Sequence, residues 1–217
     1  MTLPRTLARA AAILSAVGAA ATAVIVAPTA TAVPCPDIEV VFARGTAEPG
    51  GVGRVGQAFT DALTAQVGGR TVGSYAVNYP ASYNFLLAGD GANDASAHVQ
   101  YMMGACPNTR LVLGGYSQGA AVMDVITSVP VPILGFNNPL PPNAPDFVAA
   151  VVAFGNPSAK LGAPLTIAPV WGPKSIDLCN GGDPICQTDG EALNAHRSPN
   201  YTGGFVNQAA DFAASRL

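Results

Sequence analysis

Gly115-Tyr116-Ser117-Gln118-Gly119 forms a G-x-S-x-G pentapeptide, the pattern that holds a serine on a sharp strand-to-helix turn with its hydroxyl raised above a sheet. The apolar run at 110–115 reads as the strand and 118–128 as the helix, which is the context the pattern needs. A serine hydroxyl is a poor nucleophile until a base takes its proton, and that base needs a third group to orient it. In this arrangement the partners follow in the order Ser, then Asp or Glu, then His. Of the two histidines only His196 follows the serine; His98 lies one turn after Asp94 in a helical pattern and reads as its surface partner. The acids between Ser117 and His196 are Asp124, Asp146, Asp177, Asp183, Asp189 and Glu191. Asp183 is preferred as the orienting carboxylate, since it sits beyond the last strand, beside Pro184 and between Cys179 and Cys186, with Asp189 in reserve. Its plainer reading is a turn-forming Asp before Pro. The helix start behind Ser117 offers free N–H groups and a partial positive charge to a developing oxyanion.

A second glycine pattern, Gly51-Val52-Gly53-Arg54-Val55-Gly56, matches the dinucleotide-binding G-x-G-x-x-G. Its context is wrong. The segment Gly45 to Gly50 intervenes after the preceding strand, and no acid stands about 20 residues on, where a ribose would need one. These glycines read as loop and helix-start flexibility.

Positioning the serine requires a parallel sheet covered by helices, and the chain has that alternation. Strands are expected at 38–43, 72–79, 110–115, 148–154 and 174–178, and helices at 55–67, 90–105, 118–128 and 204–217. The Pro-rich segment 129–145 and the segment 156–173 read as long surface loops within one three-layer α/β domain, with no internal repeat.

Of 217 residues, 49% are hydrophobic and 11% charged, so the chain has material for a large core and a weakly charged surface. The net charge is −3, and −5 with eight basic residues once Arg5 and Arg9 are set aside, which argues against nucleic acid as a partner. Residues 1–32 read as a secretory signal: two arginines, an apolar run at 10–26, then Ala30-Thr31-Ala32 as a cleavage site, leaving a domain over 33–217. The apolar run is short and rich in Ala and Gly for a membrane anchor. Outside the cytoplasm the four cysteines suit two disulfides with three connectivities open. Cys35–Cys106 with Cys179–Cys186 is the expected set, because the second pair brackets a short Gly-Gly-Asp-Pro turn that could close locally. The His and Cys spacings fit no metal site.

With Ala43-Arg44-Gly45-Thr46, the Gly-Tyr-Ser-Gln-Gly elbow, Asp183-Pro184-Ile185-Cys186 and His196 assembled, nearly the whole mature chain resembles the cutinase family of serine esterases, particularly the cutinase-like proteins secreted by mycobacteria and related actinobacteria. The resemblance implies a minimal α/β-hydrolase: a three-layer sandwich with a central five-stranded parallel sheet and no large lid. It implies a triad of Ser117, Asp183 and His196, and an oxyanion hole made by the Gln118 N–H with the N–H and hydroxyl of Thr46, where fungal members usually carry Ser. Both disulfide pairs agree with the family pattern. The implied activity is carboxylic ester hydrolysis through an acyl-enzyme, without metal or organic cofactor. Lipase, phospholipase or carbohydrate-acetyl esterase activity on the same scaffold, or a non-catalytic cell-wall protein, are the alternatives. Loops bearing Phe85, Leu86 and Leu87, and Leu193, should flank the serine, either gripping an acyl chain or packing on the body. A secreted or cell-wall-associated monomer with peripheral lipid contact is expected.

Overall fold

Apolar strands too short to span anything but a sheet core alternate with longer helices, and in the computed structural model, which describes residues 34–133 and 135–217, they pair into a single parallel sheet. Its strands are β1 (Ile38–Ala43), β2 (Val72–Ala76), β3 (Arg110–Tyr116), β4 (Val148–Phe154) and β5 (Ser175–Leu178), in the order β2-β1-β3-β4-β5. The expected signal segment lies outside the described residues.

Alternate residues of each strand face opposite layers. Val40 and Phe42 of β1 join Val152 and Phe154 of β4 beneath α1 (Gly53–Gln66) and α5 (Gly204–Ala214), where Phe59 meets Phe154 edge-on at 6.0 Å. Val41, Leu113 and Val151 point the other way, into α2 (Ala88–Ala105) and α3 (Gln118–Ser128). β4 is buried at all seven positions, which is why it reads as an unbroken apolar run. Among the described residues, nothing larger than single helical turns is inserted between these elements.

Several boundaries differ from the sequence reading. β2 stops at Ala76, short of residue 79, because the following backbone finds side chains: Asn78 N–H donates to Asp94 Oδ2 at 2.8 Å and the Tyr79 carbonyl accepts from Arg44 at 2.6 Å. The segment 156–173 is not all loop. Asn156 accepts the Ser158 N–H at 3.0 Å and Pro157 follows it, starting the single-turn helix α4 (Pro157–Lys160). The Phe85–Leu87 stretch is a 3-10 turn that runs into α2, and α5 ends at Ala214. His98 does not pair with Asp94. It lies 2.8 Å from Glu39 of β1 and stacks on Tyr75, while Asp94 is taken by the Tyr75 hydroxyl. Helix periodicity cannot see a strand neighbour, so the cross-element partner was missed.

Both expected disulfides form, Cys35–Cys106 tying the chain's start to the end of α2 and Cys179–Cys186 closing a loop after β5. The sheet order reverses between β1 and β3, so the ends of these two strands open the crevice where such sheets bind ligands. There α3 approaches the strands closely: a Cβ on Gly119 would overlap the Ala43 carbonyl, and one on Gly115 would overlap the Gly119 carbonyl. Gly119→Ala is therefore expected to cost about 1–3 kcal/mol or more, read as a melting temperature several degrees lower, whereas an unchanged melting temperature would mean that α3 shifts freely.

Candidate active site

Ser117 stands between β3 and α3 with φ 57° and ψ −118°, a backbone region that a residue with a side chain enters only under constraint. Its N–H donates to the Phe154 carbonyl at 2.9 Å, and its carbonyl accepts the Ala120 N–H at 2.9 Å. The turn is thus held from β4 and from α3, and the side chain is lifted to the sheet edge. There its Oγ–H meets His196 Nε2 at 2.8 Å, and His196 Nδ1 meets Asp183 Oδ2 at 2.7 Å. Of the six acids considered, Asp183 is the one that reaches the imidazole. Asp146, Asp189 and Glu191 lie on the surface, and Asp124 and Asp177 converge elsewhere.

Asp183 is fully buried in the loop closed by Cys179–Cys186, and its Oδ1 accepts the Ile185 N–H at 2.8 Å. The loop is fastened further: Gln187 Oε1 accepts the Gly182 N–H at 2.6 Å, and Lys160 of α4 donates to the Pro184 carbonyl at 2.7 Å. His196 closes a 3-10 turn, Leu193–His196, whose carbonyls accept from two asparagines. Asn180 reaches Ala195 at 2.9 Å, and Asn200 reaches Asn194 at 2.6 Å. The Tyr116 ring stacks on the imidazole with centroids 5.3 Å apart, and its hydroxyl donates to the His196 carbonyl. Under the ring lies Gly155, at φ 58°, where a Cβ would stand 2.9 Å from His196 Cε1. Glycine is required there twice over, by conformation and by space.

Opposite the imidazole, the Gln118 N–H is the first of α3 and has no intrahelical acceptor. Thr46, just beyond β1, donates its hydroxyl to Gln118 Oε1 at 3.2 Å, and Gln118 Nε2 donates to the Ser82 carbonyl at 3.2 Å. The Thr46 loop is braced by Glu48, whose carboxylate accepts the Gly45 N–H at 2.7 Å and the Arg54 N–H at 3.1 Å. That carboxylate sits at the start of α1, where a bound pyrophosphate would have to lie, so the G-x-G-x-x-G glycines serve the loop and not a dinucleotide. Among the described residues, no three His, Cys, Asp or Glu side chains converge as metal ligands.

Ser117 and His196 open into a cleft of about 570 Å³ lined also by Tyr83, Phe85, Pro157 and Ile185. Leu86, Leu87 and Leu193 do not line it; Leu86 and Leu193 are 76% and 78% exposed. Sequence reasoning did not single out Tyr116 or Gly155 as parts of the site, since they act through stacking and backbone contacts that follow no spacing rule. For Tyr116 its place inside the elbow motif was the available signal.

A serine, histidine and aspartate chained at the carboxyl edge of an open parallel sheet define an α/β-hydrolase architecture. The family model described as "Cutinase" matches residues 34–217, and the chain belongs to the cutinase family. It is 55% identical over 209 residues to a protein of Mycobacterium tuberculosis named phospholipase Culp4, covering 94% of this chain and 90% of that one. It is 48% identical to carboxylesterase Culp1 of Mycobacterium bovis, covering 99% and 97%. Among solved structures, Trichoderma reesei cutinase with a phosphonate inhibitor is 35% identical with a TM-score of 0.69, covering 84% of this chain and 77% of that one.

Behind the site lies a second acidic pair. Asn156 donates to Asp177 Oδ1 at 2.7 Å and to Asp124 Oδ1 at 3.2 Å, while Asp124 Oδ2 is buried with no hydrogen-bond partner among the described residues. Burial pushes the Asp124 carboxyl up to about 7, with the Asp177 charge adding to it against the hydrogen bond from the Asn156 amide. A folded-state value above the unfolded one means that the native protein binds the extra proton between about pH 4 and 7, so this group's contribution to stability falls as pH rises through that window. Asp124→Asn keeps the acceptor for Asn156 and removes the titration. It should raise the melting temperature by several degrees at pH 8 and leave it nearly unchanged at pH 4, and an equal shift at both would refute the assignment.

Proposed function

We propose that the protein is an exported serine carboxylesterase in which Ser117 is the nucleophile, His196 the general base and Asp183 the orienting carboxylate. The observation that carries this reading is the imidazole bridging Ser117 Oγ and Asp183 Oδ2 through its two nitrogens at 2.8 and 2.7 Å. His196 Nε2 takes the hydroxyl proton as Oγ attacks the ester carbonyl carbon. Charge developing on the carbonyl oxygen faces the Gln118 and Thr46 N–H groups, and the Thr46 hydroxyl can turn to it from Gln118 Oε1. As the tetrahedral species collapses, the imidazolium returns its proton to the leaving alkoxide. Water then repeats the sequence on the acyl-enzyme, releasing the acid and Ser117. Asp183, accepting the Nδ1–H, keeps the lone pair of Nε2 toward the serine. The reaction calls for no metal or cofactor.

The rim of the cleft favours an acyl chain as the group recognised. Tyr83 and Phe85, which line the cleft, leave 78% and 62% of their surface bare, a patch of exposed aromatic side chains at the site. This patch also supports a second reading, a lipid ester met at a membrane or droplet surface, in keeping with the phospholipase name of one relative. Hydrolysis of p-nitrophenyl esters from acetate to palmitate, with and without a serine-directed phosphonate, tests both. Turnover should be abolished by the phosphonate and by Ser117→Ala. Asp183→Asn should lower kcat by about 10⁴-fold, and Asp189→Asn should not. Sustained rates on long chains would select the lipid reading, a steep fall with length would select short acyl esters, and full activity in Ser117→Ala would remove the serine mechanism altogether.

Export is part of the same proposal: residues 1–32 are removed and the domain from Val33 acts as a secreted or cell-wall-associated monomer. Two disulfides with no free cysteine among the described residues support an oxidising compartment. Amino-terminal sequencing of protein recovered from culture medium should start at Val33; an intact Met1 on all of it would argue for retention.

A further inference from the structure

We infer that Tyr201 is a positioning residue of the triad, its phenol hydroxyl donating to the same Asp183 oxygen that holds His196. The Tyr201 oxygen lies 2.5 Å from Asp183 Oδ2, and both side chains are fully buried. The direction of this bond follows from its neighbours. The Asn180 N–H points at the phenol oxygen from 3.1 Å and can only donate, so the oxygen receives there and its own proton is free for the carboxylate. The one other polar neighbour among the described residues is the Cys186 sulfur at 3.5 Å, part of a disulfide and a weak acceptor. The order is therefore Asn180 N–H to Tyr201 O–H to Asp183, with His196 and Ser117 beyond.

With Ile185 on Oδ1, Asp183 thus has three donors and no Lys or Arg partner among the described residues. Tyr201 is held to this task by its ring, which packs against Phe205 at 5.3 Å, Tyr116 at 5.5 Å and Phe154 edge-on at 6.5 Å. Burial and the nearby carboxylate push its phenol well above the ordinary tyrosine range, so it remains a donor across the working pH. By sharing Oδ2, the phenol tempers the negative charge that the imidazole feels. Without it, Asp183 would hold the imidazolium more tightly, and His196 would act as a base only at higher pH.

This inference rests on the triad reading above, and the test separates the two. In Tyr201→Phe, which keeps the ring, kcat should fall about tenfold with KM within about twofold. The acid limb of its kcat/KM profile should move to higher pH. Difluorotyrosine at position 201, a stronger donor of nearly the same shape, should move the limb to lower pH, and it reads the interaction even if Tyr201→Phe folds poorly. Phe59→Leu thins the same apolar layer through Phe154 without contacting Tyr201, and should lower the melting temperature while leaving the limb in place. A limb unmoved by both Tyr201 replacements, or moved equally by Phe59→Leu, overturns the role of Tyr201. Full turnover in Ser117→Ala would instead overturn the triad reading on which it stands.

Discussion

The close approach of α3 to the ends of β1 and β3 is the constraint on which the site depends. A helix that begins against two strand ends can do so only where Gly115 and Gly119 carry no side chain, because Cβ atoms there would occupy backbone. The tightness of the turn forces Ser117 to φ 57°. One packing fact thereby sets three features at once: the strained serine, the free N–H groups at the start of α3, and the proximity of the Thr46 loop. Strain of this kind persists only where the surroundings over-determine it, and here β4 supplies the Phe154 carbonyl that anchors the Ser117 N–H.

The other half of the site is built on weaker local structure. Asp183 and His196 come from a loop and a single 3-10 turn, neither of which would hold a side chain to a fraction of an ångström alone. Rigidity is instead imported. The disulfide closes the loop, Lys160 reaches across from α4, Asn180 and Asn200 hold the turn, and Tyr116 ties the imidazole segment back to the elbow. The preorganisation that ester chemistry needs is thus concentrated on one side in backbone packing and on the other in polar ties.

This division explains what was legible in the sequence. Gly115, Ser117 and Gly119 are legible because backbone packing demands particular residue types at particular offsets. The buried strands are legible because parallel sheets covered on both faces need continuous apolar runs. Asp183 was found by the Cys179 and Cys186 bracket and by chain order. The helix α4 was misread although its cap, Asn156 before Pro157, is local, whereas the end of β2 and the partner of His98 were misread because each turns on a side chain from a distant element, Arg44 and Asp94 for the one and Glu39 for the other. Tyr201 escaped for the same reason. A phenol 18 residues from its carboxylate has no periodicity, and only the fold brings the two together.

Two acids on either side of this site show how surroundings decide what a buried carboxyl can do. Asp183 is more deeply buried than Asp124, yet donors reach both of its oxygens, and burial there serves to exclude water from the bond to the imidazole. Asp124 has one oxygen on Asn156 and the other on nothing among the described residues, with Asp177 sharing the same amide, and its carboxyl is driven toward the neutral form. Asn156 stands between the two environments. It caps α4, whose Lys160 fastens the Asp183 loop, while its amide bridges the acids behind. Loss of the Asp124 proton therefore places charge against the residue that starts α4. The stability of the fold and the fixing of the Asp183 loop are linked through one asparagine side chain.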